Sequence, residues 1–184
     1  PFHKVLFHSA AGGTGLIAMQ WARMMDVEIT GTVSSEEKKE LAKNYGATNV
    51  INYARENFVE QIRDITQGRG VDVVFDSVGA STFYQSIQSL KKYGLMVSYG
   101  NASGKVSAFD LGLLSGHLFI TRPTLWSYIA TRKELEVTFG ELLQLVMLNK
   151  IRIPIYQKKP LQDVVALHKL MEERRTTGCS ILTV

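Results

Sequence analysis

"VLFHSAAGGTGLIAMQWARMM", residues 5–25, sets three features in a fixed order: an apolar run, a cluster of small residues, and a long stretch with no turn residue before Asp26. Val5 to His8 reads as a short strand. Leu16 to Met25 is apolar on nearly every side, as expected of a helix packed on a sheet. A glycine-rich turn between strand and helix offers backbone N–H groups and the positive end of a helix to an anion. The dinucleotide pattern G-x-G-x-x-G would span residues 10–15. In it, Gly12 allows close backbone approach, Gly13 adds a second approach point and Gly15 lets the helix pack tightly on the strand. Ala10 stands where the first glycine belongs, and a methyl fits there if that residue's φ is negative. The alternative is a plain tight turn.

The pattern continues in alternation. Glu28 to Val33 reads as a second strand, and Ser34, three before Glu37, has capping-box spacing for a helix that runs to about Tyr45 and stops at Gly46. Asn49 to Asn52 is a third strand. Phe58, Ile62 and Ile65 mark the next helix, with Gly68 ending it. "VDVVFDSVG" is a buried strand to Asp76; Phe83, Ile87 and Leu90 repeat the helical spacing, and Leu95 to Gly100 is a fifth strand. Five strands alternating with four helices predict an α/β fold with a doubly wound parallel sheet, the Rossmann fold. Beyond residue 100, Leu118 to Thr121 suggests a sixth strand, and Leu135 to Val146 a long helix. Residues 151–184 break the alternation, with strand-like Ile151 to Gln157, helical Leu161 to Arg174 and strand-like Ser180 to Val184.

Length and composition bound the function. The 184 residues suffice for one sizeable core or a core plus a small lobe. No apolar run reaches the roughly 18 residues of a membrane span. The single cysteine, Cys179, leaves no internal disulfide or cysteine-cluster zinc site within these residues and points to a reducing cytoplasm. The net charge of +4 is modest and its basic pairs are scattered, whereas a nucleic-acid footprint calls for clustering. His3, His8, His117 and His168 have no metal-ligand spacing. Asp76 reads as a structural carboxylate at a strand end, and Cys179 as a small packing residue.

The end of the second strand selects the cofactor. An NAD site places Asp or Glu about 20 residues past the glycines, on the ribose 2′-hydroxyl. Here the sequence reads "VSSEEK": Ser34 and Ser35 replace the acid, and Lys38 follows one helical turn later. Hydroxyls and an ammonium suit a 2′-phosphate that a carboxylate would repel, which predicts NADP(H). Glu36 and Glu37 are expected to face solvent in the helix's first turn. Lys38 has the alternative of a solvated surface lysine.

"SAAGGTGLIAMQWAR", "GTVSSEEK", "VINY", "VDVVFDSVG", "LMVSYGNASG", "FITRPTLWSYIATRKEL" and "RRTTG" occur in this order across nearly the whole chain. Together they resemble the zeta-crystallin-like quinone oxidoreductases, the zinc-free group of the medium-chain dehydrogenase/reductase superfamily. The resemblance implies an NADP-binding domain over 1–150 and a tail, 151–184, that rejoins a GroES-like catalytic domain preceding Pro1 and absent from this sequence. It implies pyrophosphate on the backbone of Gly12, Gly13 and Thr14, and the 2′-phosphate on Ser34, Ser35, Lys38 and Tyr53. It places Ser77 near the adenosine half, Tyr99, Gly100 and Asn101 on the nicotinamide side, Thr121 on the carboxamide, and Arg174 as a phosphate contact from the tail. Tyr53 has the alternative of a packing tyrosine, and Arg174 that of a solvated helix end. No catalytic residue is expected within the chain. The implied reaction is NADPH-dependent reduction of a quinone by a homodimer, with the chain alone binding cofactor but not turning over. Two alternatives stay open: an enoyl or alkenal reductase of the same superfamily, and a nucleotide-binding module with an RNA-binding or structural role. A short-chain dehydrogenase would need Tyr followed four later by Lys, which none of the seven tyrosines satisfies.

Overall fold

The computed structural model describes residues 3–184; Pro1, where the sequence begins, lies outside them. The expected alternation is present: β1 (Lys4–Phe7), α1 (Gly13–Met24), β2 (Glu28–Val33), α2 (Glu36–Asn44), β3 (Asn49–Asn52), α3 (Phe58–Ile65), β4 (Val71–Asp76), α4 (Phe83–Gln88) and β5 (Leu90–Ser98). Then come β6 (Phe119–Thr121), α5 (Leu125–Tyr128), α6 (Arg132–Met147), β7 (Ile155–Pro160), α7 (Val164–Glu172) and β8 (Cys179–Thr183). The first six strands form one parallel sheet in the order β3-β2-β1-β4-β5-β6. This is the doubly wound Rossmann arrangement.

Side chains alternate across the central strand. Val5 and Phe7 of β1 pack with Met19 and Ala22 of α1 on one face, while Leu6 packs with Phe58, Val59 and Ile62 of α3 on the other. Both faces are covered, so β1 carries an unbroken apolar run, and the polar Thr30 and Thr32 of β2 are themselves buried. The chain leaves β1 for β2 on one side and reaches β4 on the other, so a crevice opens at their carboxyl ends.

The turn after β1 is built by close contact. A Cβ on Gly15 would lie 2.5 Å from the Ser9 carbonyl oxygen and 2.6 Å from that of Ala10, so only glycine brings α1 this near the strand. Ala10 is fully buried, and its methyl occupies space left by Gly31, where a Cβ would lie 2.5 Å away. The left-handed residue of the turn is Ser9, with φ of 60°, and Ala10 is not left-handed. The methyl at the first fingerprint position therefore fits for the reason given by its φ.

Local details differ from the sequence reading. The N-cap of α2 is Ser35, not Ser34: its side chain accepts from the Lys38 amide, and Ser34 lies in the bend between β2 and the cap. Leu90 belongs to β5. Ser89 closes α4 by donating its hydroxyl to the Gln85 carbonyl (2.8 Å), and Leu90 then pairs with Val71. In the tail, Ile151 is fully buried and anchors the segment, so the strand starts later, at Ile155 after Pro154. A 3-10 turn at Leu161–Asp163 likewise delays α7.

β7 and β8 form a separate two-stranded parallel sheet. Gln20 ties the tail to α1, donating to the Arg152 carbonyl and accepting from its amide, each at 2.8 Å. Gly178 donates to the Ala11 carbonyl at 2.9 Å.

Two glycines should respond in opposite directions. Gly15→Ala meets backbone atoms and should destabilise by about 1–3 kcal/mol. Gly140→Ala, in α6 with nothing near its Cβ position, should stabilise by about 1 kcal/mol. Urea unfolding of both variants checks the pair.

Candidate functional site

The carboxyl ends of β1, β2 and β4 open into a cleft of about 670 Å³. Gly12, Ser34, Lys38, Tyr53 and Arg174 all line it, so residues from four elements and the distant tail converge. The floor is the N-terminus of α1. Gly12 is its N-cap, with no side-chain cap and no acidic residue in the first turn. By contrast, α2, α3 and α6 are capped by Ser35, Asn57 and Thr131. The N–H groups of α1 are thus left for an anion in the cleft.

Two cations face each other at the mouth. The Lys38 ammonium donates to the Arg174 carbonyl, and the Arg174 guanidinium lies 3.5 Å from the Tyr53 hydroxyl. Burial and the Arg174 charge hold the Lys38 pKa below its ordinary value, with Glu37 acting the other way. Two like charges placed together favour an anion between them. Glu36 and Glu37 are exposed, and the Glu36 carboxylate accepts from the Asn52 amide nitrogen at 2.7 Å, which lowers its pKa. Glu56 also lines the cleft, but its carboxylate accepts from the Asn52 backbone amide (3.0 Å) and pairs with Lys39 (3.9 Å).

The remaining predicted residues stand elsewhere. Thr14 is exposed on the first turn of α1. Gly13 faces the tail: a Cβ there would lie 2.7 Å from Cys179 Sγ and 3.3 Å from the Gly178 carbonyl oxygen. Ser35 spends its hydroxyl on the α2 cap. Ser77, Tyr99, Gly100 and Asn101 form the next loops along, after β4 and β5. The Tyr99 amide donates to the Asp76 carbonyl (2.9 Å), and Gly100 packs directly on the Ser77 backbone where no Cβ would fit. Burial raises the Tyr99 pKa, against a hydrogen bond to Ser77. Thr121 ends β6, paired in register with Val97, and is exposed. None of these eight lines the cleft itself.

Sequence reading missed three groups. Arg122 holds the β5 loop, donating to the carbonyls of Ser98 (3.2 Å) and Gly100 (3.0 Å). Phe58, Thr82 and Gln85, at the starts of α3 and α4, form a wall of the cleft. Their position just past strand ends is the only signal the sequence held. His8 is 1% exposed yet reaches the cleft wall. Burial lowers its pKa to about 4, more than the Asp76 charge raises it.

A family profile for zinc-binding dehydrogenases matches residues 13–145. The chain belongs to that family. It is 45% identical to quinone oxidoreductase 1 of Escherichia coli over 99% of this chain and 57% of that protein, and 41% identical to a Burkholderia 2-haloacrylate reductase over 99% and 56%. The solved structure of Escherichia coli quinone oxidoreductase complexed with NADPH superposes with a TM-score of 0.96 at 44% identity, over 100% of this chain and 58% of that one. The chain thus spans a little over half the length of the relatives it matches. The family's description implies zinc. Among the described residues no group of three or more His, Cys, Asp or Glu is placed to hold a metal, so these residues do not fit a zinc site. No helix among them is long and apolar enough to cross a membrane.

His8 gives the cleft wall a pH signature. It binds a proton less readily folded than unfolded, so its contribution is complete above the ordinary value of 6.5 and is lost as pH falls through about 4. At 1.36 kcal/mol per unit the full loss is on the order of 3 kcal/mol. Urea midpoints between pH 7 and pH 4 should fall more steeply in the native chain than in His8→Gln.

Proposed function

We propose that this chain is the NADP(H)-binding part of an NADPH-dependent quinone oxidoreductase. The observation that carries the reading is the meeting of Ser34, Lys38, Tyr53 and Arg174 beside the uncapped α1, with no carboxylate at the end of β2. Similarity to quinone oxidoreductases, one of them solved with NADPH, supports the same reading. When bound, NADPH supplies a hydride from its nicotinamide ring. The chain's own residues bind and orient. The N–H groups at Gly12, Gly13 and Thr14 receive the pyrophosphate, and Ser34, Ser35, Lys38, Tyr53 and Arg174 receive the 2′-phosphate. Ser77 borders the adenosine half. Tyr99, Gly100, Asn101 and Thr121 border the nicotinamide half, on loops braced by Arg122. No side chain here acts as nucleophile or general acid, so the protein's task is position and exclusion of water.

Residues 1–150 form the cofactor domain in this reading, and the tail, 151–184, joins a GroES-like catalytic lobe that is not part of this sequence. The reading is of a zinc-free enzyme, and the single cysteine supports a reducing cytoplasm. Similarity to a 2-haloacrylate reductase favours a second reading, reduction of an activated C=C bond from the same cofactor site.

A homodimer is part of the proposal. β6 is the last strand of the sheet, Phe119 on it is 58% exposed, and Trp126 of α5 and Phe139 of α6 are exposed as well. An uncovered apolar edge is a liability unless paired, and pairing two copies of β6 is isologous. Sedimentation at micromolar concentration should show a dimer; a monomer removes this part of the proposal.

Calorimetry should show NADPH binding more tightly than NADH, and Lys38→Glu should weaken NADPH by about 1–3 kcal/mol. Equal affinity for the two cofactors would sink the assignment. NADPH oxidation should be negligible with this chain alone and appear when the remaining length of its relatives is joined ahead of it. A quinone and a 2-haloacrylate, assayed side by side, separate the two substrate classes.

A further inference from the structure

Beneath the cleft lies a line of four polar side chains with almost no access to water: Thr32 and His8 are each 1% exposed, Ser86 and Asp76 fully buried. Each stands on a different element or at its end. Thr32 lies in β2, two residues before Ser34; His8 directly follows β1; Ser86 is in α4; Asp76 ends β4. The spacing is regular. His8 Nδ1 is 2.9 Å from Thr32 Oγ1, His8 Nε2 is 2.9 Å from Ser86 Oγ, and Ser86 Oγ is 2.9 Å from Asp76 Oδ2. Asp76 also receives the Thr82 hydroxyl (2.7 Å) and, on its other oxygen, the amides of Val78 (2.8 Å) and Gly79 (3.0 Å).

The direction of this line follows from what each group can give. A carboxylate with four donors has no proton to offer, so the Ser86 hydroxyl must spend its single proton on Asp76. Ser86 Oγ is then an acceptor toward His8, and Nε2 must carry the ring proton. Nδ1 is left with a lone pair and accepts from the Thr32 hydroxyl. Phe58, edge-on to the imidazole at 5.0 Å, fixes the ring plane.

We infer that His8 is a positioning residue of the cofactor cleft, held as the neutral Nε2–H tautomer in a one-way hydrogen-bond chain running from Thr32 to Asp76. One end sets the strand that delivers Ser34 to the phosphate mouth. The other sets the β4 loop, where Val78 lines the cleft and the Ser77 carbonyl accepts from the Ala102 amide at 3.2 Å. His8 thus fixes the distance between the two walls without touching the ligand. Because both nitrogens are spent, it offers none to a metal or to a proton-transfer step.

The positioning role rests on the cofactor reading, whereas the tautomer does not, and the experiment separates them. Imidazole 15N spectra of the chain labelled at histidine should show for His8 a protonated Nε2 and an unprotonated Nδ1. Ser86→Ala removes the link to the carboxylate and should give a mixture of tautomers. Thr32→Val keeps that link and should leave Nε2–H in place, and Ser86→Thr should restore it. The wild-type spectrum needs no variant, so a mixture there, or equal scrambling in Thr32→Val and Ser86→Ala, overturns the directed chain. Ser86→Ala should also raise the NADPH dissociation constant about 3- to 10-fold, the range for one lost hydrogen bond. Unchanged affinity in a folded Ser86→Ala overturns the positioning role. Absence of NADPH binding by the wild-type chain overturns the cofactor reading and the positioning role together.

Discussion

The contact on which this structure depends is the approach of α1 to the turn after β1, backbone against backbone at Gly15. Because no side chain intervenes, the helix starts directly above the strand end and its free N–H groups face the crevice between β1 and β4. Moving that helix outward by one methyl would carry the anion-binding end away from Ser34 and Lys38. Ala10 keeps the same geometry by a different route. Its methyl fills the gap left by Gly31, so the glycine missing from the loop reappears, in effect, on the neighbouring strand.

Electrostatics then specify what the crevice accepts. An uncapped helix start alone would suit many anions. Lys38 and Arg174 set positive charge at the mouth, near Tyr53, while the nearby carboxylates are turned outward or bound to Asn52 and Lys39. Neutral hydroxyls at the end of β2 complete a surface with positive charge, whose one lining carboxylate, Glu56, is already paired with Lys39. The buried polar line below it carries its one charge on Asp76, held among four donors, while His8 against the cleft wall is neutral at ordinary pH.

The main sheet was legible in the sequence because its strands are buried on both faces and its helices carry apolar residues at regular spacing. Boundaries failed where two elements compete for one residue. Leu90 satisfies a helical spacing and a strand pairing alike, and the sheet takes it. Ser34 has the capping-box spacing, yet the cap falls one residue later, on Ser35, because α2 starts at Glu36. Gly13 has a further constraint that no local pattern shows: a side chain there would meet Cys179, a residue distant in sequence. The Thr32–His8–Ser86–Asp76 line was invisible for the same reason. Its members are common residue types, and only the crossing of β2, β1, α4 and β4 brings them together.

The tail's attachment at Gly178 bears on how the cleft comes into being. The Ala11 carbonyl, inside the glycine loop, accepts from an amide that follows it by most of the chain's length, and Arg174 crosses Lys38 from the same late segment. During synthesis the sheet can form as its strands emerge, since nearly all its pairings join near neighbours in sequence. The loop must wait. It gains its last backbone partner, and the mouth its second cation, only when residues 174–179 have left the ribosome, so a nascent chain carries a finished sheet with an unfinished nucleotide cradle.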